Sequence, residues 1–139
     1  MRLVYILSTL LYTMLFIANA YTQNSEATIS SDIISAFDKS NASQLSEHFN
    51  DRIEIIMPES SGIYSKEQAR YLIDSFFKKH PPISFRIIHQ GVRENAVFAI
   101  GRYNYSNGQH RIMILTKQNN NSSLIHQIRI EKQDEARNN

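Results

Sequence analysis

Residues 96–117, AVFAIGRYNYSNGQHRIMILTK, decide the fold. Two β-rich runs, 96–105 and 110–117, flank Asn107-Gly108, a dipeptide that tolerates the positive φ required at both centres of a type I′ hairpin turn. With that pair as the loop, Tyr105 lies opposite His110, Tyr103 opposite Ile112 and Gly101 opposite Ile114 on one face. Asn104 with Arg111, Arg102 with Met113 and Ile100 with Leu115 share the other. Both faces turn apolar away from the hairpin tip, as expected of a sheet covered by helices on one side and by a partner on the other.

Working outward, 83–91 (ISFRIIHQG) and 123–132 (SLIHQIRIEK) are further strand runs, set off by Pro81-Pro82 and by the polar turn 119–122. The helical signals lie upstream. Ser65 with Gln68 forms a capping box, and Ala69, Leu72, Ile73, Phe76 and Phe77 then follow the i, i+3, i+4, i+7, i+8 stripe of one helix face. Lys78, Lys79 and His80 suit its negative C-terminal dipole, and Pro81-Pro82 stops it. Residues 52–57 (RIEIIM) read as a strand and 59–62 as a loop. Two short helices come first: one capped by Ser30 or Ser31, with Ile33, Ile34 and Phe37 on one face, and one capped by Asn41, with Ala42, Leu45 and Phe49 as its stripe. The order helix, helix, strand, helix and a four-strand meander predicts an α+β domain with helices on one face of a curved antiparallel sheet.

Residues 1–20 read differently. Met1-Arg2 is followed by a mostly apolar run over 3–17 and by Ala18-Asn19-Ala20, the three parts of a secretory signal peptide cleaved after Ala20. The run is shorter than the ~20 residues that span a bilayer, and no basic cluster follows it, so the expected product is exported, periplasmic or secreted, and not membrane-anchored after cleavage. The domain organisation predicted is a signal over 1–20, a flexible leader over 21–28, one domain over 29–132 and a frayed tail over 133–139.

Composition narrows the chemistry. The 139 residues contain no Cys, which excludes disulfides, thiol catalysis and Cys-ligated metals. Fifteen Lys and Arg stand against thirteen Asp and Glu, a balance unlike that of a nucleic-acid binder, so no nucleic acid is expected as a partner. No glycine-rich phosphate loop or repeat occurs. His48, His80, His89, His110 and His126 occur singly, without the spacing of a metal site, and neither metal nor cofactor is expected. Asn41, Asn104, Asn120 and Asn121 each fit the Asn-x-Ser glycosylation sequon, and Asn41 has the simpler role of capping a helix.

The words Tyr64-Ser65-Lys66, Phe76-Phe77, Pro81-Pro82, Phe85, Ile88-His89-Gln90-Gly91, Gly101 and Arg129-Ile130-Glu131 resemble the family of secreted Bacteroidetes proteins known as domain of unknown function 4783. The likeness covers residues 29–132. It implies the nuclear transport factor 2-like (cystatin-like) cone, in which helices pack on the concave face of a bent sheet, and it implies no known reaction. Where members of that superfamily use a pocket, it opens between helices and sheet, which makes Tyr71, Phe76, His89, Tyr103, Ile114 and His126 the pocket candidates here.

His89 shares strand parity with Phe85 and Ile87, and His126 with Leu124, Ile128 and Ile130. Either could act as a general base in isomerase- or dehydratase-type proton transfer on a small apolar ligand, although no carboxylate is paired with them by spacing. The reading favoured over that enzyme is a small ligand-binding or protein-interaction domain. Arg102 and Arg111 are candidate anion contacts. Phe98, Ile100, Met113 and Leu115 form an apolar patch that a sheet-to-sheet homodimer would cover. A module acting through an exposed edge strand rests on fold analogy alone.

Overall fold

The computed structural model describes Leu3 and residues 28–133. The expected signal peptide apart from Leu3, most of the expected leader and most of the expected tail lie outside the described residues.

Residues 28–133 form three helices and six strands in the order α1 (Ser31–Asp38), α2 (Ala42–Glu47), β1 (Phe49–Met57), β2 (Ser60–Ser65), α3 (Lys66–Lys79), β3 (Pro82–Arg93), β4 (Ala96–Tyr105), β5 (Gly108–Asn119) and β6 (Ser122–Lys132). Each helix starts where a polar side chain can satisfy a free backbone N–H. The Ser30 hydroxyl accepts from Asp32 N–H, Asn41 Oδ1 accepts from Gln44 N–H at 2.9 Å, and Ser65 and Gln68 close a reciprocal capping box. His80 caps the far end of α3.

The sheet order is β2-β1-β6-β5-β4-β3. β3 to β6 form the expected antiparallel meander, and β1 enters beside β6 in parallel, so the sheet is mostly rather than wholly antiparallel. The stretch expected as a loop over 59–62 lies largely within β2, which pairs Ser60 to Ser65 with Met57 to Arg52 of β1. The serine-rich SSGIYS lacks the bulk of a typical strand, and its backbone is held by the neighbour it pairs with rather than by its own propensity.

The β4–β5 hairpin also departs from expectation. Tyr105 pairs with Gly108, Tyr103 with His110 and Gly101 with Ile112, so the loop is Ser106-Asn107 and every partner is displaced by two residues. Neither loop residue takes positive φ; that conformation falls on Gly108 alone, at 154°. The Asn-Gly pair therefore does not sit at the turn centre. Because side chains alternate with period two, an even displacement leaves each residue on its expected face while changing its neighbour.

The core lies between the helices and the inner face of the sheet. Ile33 and Phe37 of α1, Leu45 of α2 and Ile73 and Phe77 of α3 pack on Ile53, Ile55, Phe85, Tyr103, Ile112, Ile114, Ile125 and Ile128. Gly101 is required by packing: a Cβ there would stand closer to the ring of Phe85 than van der Waals contact allows. Phe85 N–H donates to Asp38 Oδ1 at 3.1 Å and Ile29 N–H to Gln90 Oε1 at 3.3 Å, which ties α1 and its approach to the edge strand β3 and occupies part of that edge.

Candidate functional site

One row of residues runs across four strands of the inner face. Phe85 of β3 pairs with Tyr103 of β4, Tyr103 with His110 of β5, and His110 with Lys132 of β6. At the β3 end the row is aromatic and sealed, with the Phe37 ring 4.7 Å from that of Phe85 and the Phe77 ring 6.4 Å from that of Tyr103. Towards β6 it opens into a cavity of about 550 Å³.

The cavity lies between the C-terminal half of α3 and the end of the sheet where β1 turns into β2. Met57, Leu72, Phe76 and Ile130 supply apolar wall, and Glu59, Lys79, His80, His110 and Lys132 supply polar groups. The last turn of α3 and its cap bring Phe76, Lys79 and His80 to one side, and the β5–β6 pairing brings His110 beside Lys132. A shallower cavity of about 320 Å³ adjoins it, lined by Tyr64, Gln68 and Tyr71 with Leu72 and Ser75, which border both.

His80 and His110 stand with ring centroids 4.9 Å apart. Phe76 lies 5.1 Å from His80 and 5.2 Å from His110, and Tyr105 lies 4.8 Å from each. The Tyr103 hydroxyl donates to the His80 carbonyl, which fixes the cap of α3 to the sheet beneath it. Burial raises the pKa of that phenol, keeping it a neutral donor.

His110 is 2% exposed and its Nδ1 has no hydrogen-bond partner. Burial, with His80 and Lys132 adding like charge, pushes its pKa down to about 4. His80 is lowered too, by burial first and then by Lys79 and Lys132, with Glu59 opposing. At neutral pH the cavity thus presents two uncharged imidazoles near two ammonium groups. Glu59 Oε2 lies 3.9 Å from Lys79 Nζ, and among the described residues no group of three or more His, Asp or Glu is gathered as for a metal.

Of the residues expected to line a pocket, Phe76 lines the main cavity and Tyr71 the shallow one, where Arg70 lies over its ring at 4.5 Å. Tyr103 and Ile114 are fully buried in the core; Tyr103 touches the site through His80, and Ile114 lines neither cavity. His89 must be corrected. A bulge between Ile87 and His89 reverses the parity of β3, so His89 pairs with Ile100, is exposed on the outer face, and stands 5.7 Å from the Phe98 ring. His126 sits at a second bulge, between the pairs Leu115–Gln127 and Thr116–Ile125; it is half-buried, lowered in pKa by burial and Lys117, and lines neither cavity. Arg102 and Arg111 are exposed on the outer face, directly opposite one another.

The pattern of residues 30–131, which carries both the inner-face row and the cavity walls, matches the DUF4783 family, described as a domain of unknown function. The chain belongs to the DUF4783 family. Two crystal structures of DUF4783 proteins are similar to it over nearly their full length. That from Bacteroides ovatus ATCC 8483 is 33% identical with a TM-score of 0.73, covering 77% of this chain and 97% of its own. That from Bacteroides uniformis ATCC 8492 is 32% identical with a TM-score of 0.73, covering 78% and 100%. An NTF2-like protein of unknown function from Shewanella baltica OS155 matches at 11% identity and a TM-score of 0.57, over 76% of this chain and 88% of that one, which identifies the fold as NTF2-like. No functionally curated protein matches.

For this DUF4783 chain the residues that sequence reading passed over are His80 and His110. His80 follows the helix stripe and reads as a dipole partner. His110 reads as a hairpin-tip residue opposite Tyr105, whereas the true register sets it one row deeper, opposite Tyr103 and against Phe76. The available signal was Gly108, which accommodates positive φ on its own and so allows the loop to begin at Ser106.

Proposed function

We propose that this chain is an exported ligand-binding domain whose cavity takes a small molecule with an apolar body and an acidic head. The observation that carries the reading is the division of the cavity's wall: Met57, Leu72, Phe76 and Ile130 against Lys79, Lys132, His80 and His110, with the carboxylate of Glu59 beside Lys79. A preformed cleft of this size with a few convergent polar groups is the usual form of a small-molecule site. A carboxylate there would meet the ammonium of Lys132 and that of Lys79, which Glu59 already approaches at 3.9 Å, and a neutral imidazole could donate to it without a second charge having to be desolvated.

The enzymatic alternative is less well supported. A general base needs an orienting partner, and His110 Nδ1 has none, while the nearby carboxylate of Glu59 lies against Lys79. His89 and His126, the strand histidines first considered for proton transfer, line neither cavity.

Isothermal titration with decanoate and with decan-1-ol tests the reading. Decanoate binds more tightly than the alcohol, and Ser75→Trp, which places a large ring at an exposed position on the cavity's border, abolishes binding while leaving the fold intact. Equal affinity for acid and alcohol, or undiminished binding in the tryptophan variant, would overturn it. Export is tested separately by mass spectrometry of the protein from its own cells, where the expected N-terminus is Tyr21.

A further inference from the structure

The outer face of the sheet carries a charge pattern that neither the core nor the cavity accounts for. Parallel to the inner row runs an outer one: Arg86 pairs with Arg102, Arg102 with Arg111, and Arg111 with Glu131. Three arginines therefore stand side by side on adjacent strands, whose backbones run about 5 Å apart, and like charges directly opposite each other are unfavourable. Arg111 and Arg129 share Glu131, at 3.8 and 3.5 Å. Arg86 and Arg102 have no carboxylate partner among the described residues.

The register extends the pattern over the whole face. Arg52, Arg93, Lys117 and Arg129 occupy the same side, giving seven cations against the carboxylates of Glu54 and Glu131. Elsewhere among the described residues acidic groups outnumber basic ones, eight to six. Between the arginine row and the Arg93–Lys117 end lie Phe98, Ile100, Met113 and Leu115, all half-buried.

We propose that this face docks the protein on an anionic phospholipid surface. A second copy apposed through the same face would set seven cations against seven. A small free anion would need a concave site, and neither cavity is lined by residues of this face. What fits is an extended negative surface: guanidinium groups pair with phosphates in two-pronged hydrogen bonds, the apolar island rests between the two basic ends, and the helix side, which has no excess of cations, faces away. An acidic protein surface is the competing occupant. The charges extend across five strands without a groove to define a partner's shape, which favours the lipid.

Liposome sedimentation is the test, using the protein in the form its own cells retain, so that wild type and variants share one N-terminus. The vesicles are phosphatidylcholine alone and phosphatidylcholine mixed with phosphatidylglycerol. The protein partitions onto the mixed vesicles at least tenfold more strongly, with the preference shrinking as salt rises. The triple variant R86Q/R102Q/R111Q loses at least tenfold of that partitioning, and R86K/R102K/R111K keeps most of it. All three arginines are exposed, so the core is untouched, and Arg102→Gln alone, about fivefold down, repeats the test should the triple variant not fold. Equal partitioning onto neutral vesicles, no loss in the glutamine variants, or a stable dimer that those variants disperse would each overturn the proposal.

Discussion

The two ends of the row Phe85–Tyr103–His110–Lys132 show how one sheet face can be both filled and open. At the β3 end Gly101 leaves room for the Phe85 ring, Phe37 closes over it from α1, and Asp38 anchors the strand. Every polar group there that the packing needs has a partner. At the β6 end the same row reaches His110, buried without a partner for Nδ1, beside a cavity of about 550 Å³. A chain selected for stability alone would place an apolar residue at such a position, because an unsatisfied buried polar atom costs about 1–3 kcal/mol. The contrast separates residues that hold the fold from residues that the fold holds in place.

The largest effects should come from the sealed end. Phe85→Ala is expected to cost about 3–5 kcal/mol and Gly101→Ala about 1–3 kcal/mol, read as shifts in urea midpoint at unchanged slope. A loss below 1 kcal/mol for Phe85→Ala would mean that this end is not close-packed.

The next largest effect is one of pH, and it belongs to the open end. His110 titrates at about 4 in the folded chain against an ordinary 6.5, so between those values the unfolded state binds more protons. Stability is therefore full above pH 6.5 and falls as pH drops towards 4, by about 3 kcal/mol from this group. His80 and His126, also lowered, act in the same direction. Urea titrations across that range check it, and stability that is flat or rises on acidification would contradict it.

Smaller still is the effect of His110→Leu at pH 7. Removing an unpartnered polar group from an apolar wall should leave stability unchanged or raise it by up to about 1 kcal/mol, while flattening the acid limb. A loss of more than 2 kcal/mol would place His110 among the residues that hold the fold.

The two ends also differ in how far the sequence foretold them. The helices of the sealed end were legible because Ser30, Asn41 and the Ser65–Gln68 box announce their starts locally, and the α3 stripe announces its buried face. The open end depends on events that a period-two pattern does not encode. The bulge at Ile88 turns His89 outward, the bulge at His126 interrupts its strand, and a loop beginning at Ser106 moves His110 from the hairpin tip to the cavity wall. β2 was illegible for a related reason: SSGIYS is a strand only because β1 lies beside it. Face assignments survived the hairpin error, since a displacement of two conserves parity. That is why Arg102 and Arg111 were correctly grouped with Ile100, Met113 and Leu115, while their direct opposition went unseen.

The most direct test of the central claim, that the open end holds a neutral histidine ready for an acidic ligand, is an NMR titration of the His110 imidazole in the free protein and with decanoate present. A midpoint of about 4 in the free protein, moving upward when the carboxylate arrives beside the ring, is the expected result. A midpoint near 6.5 that decanoate does not move would contradict it.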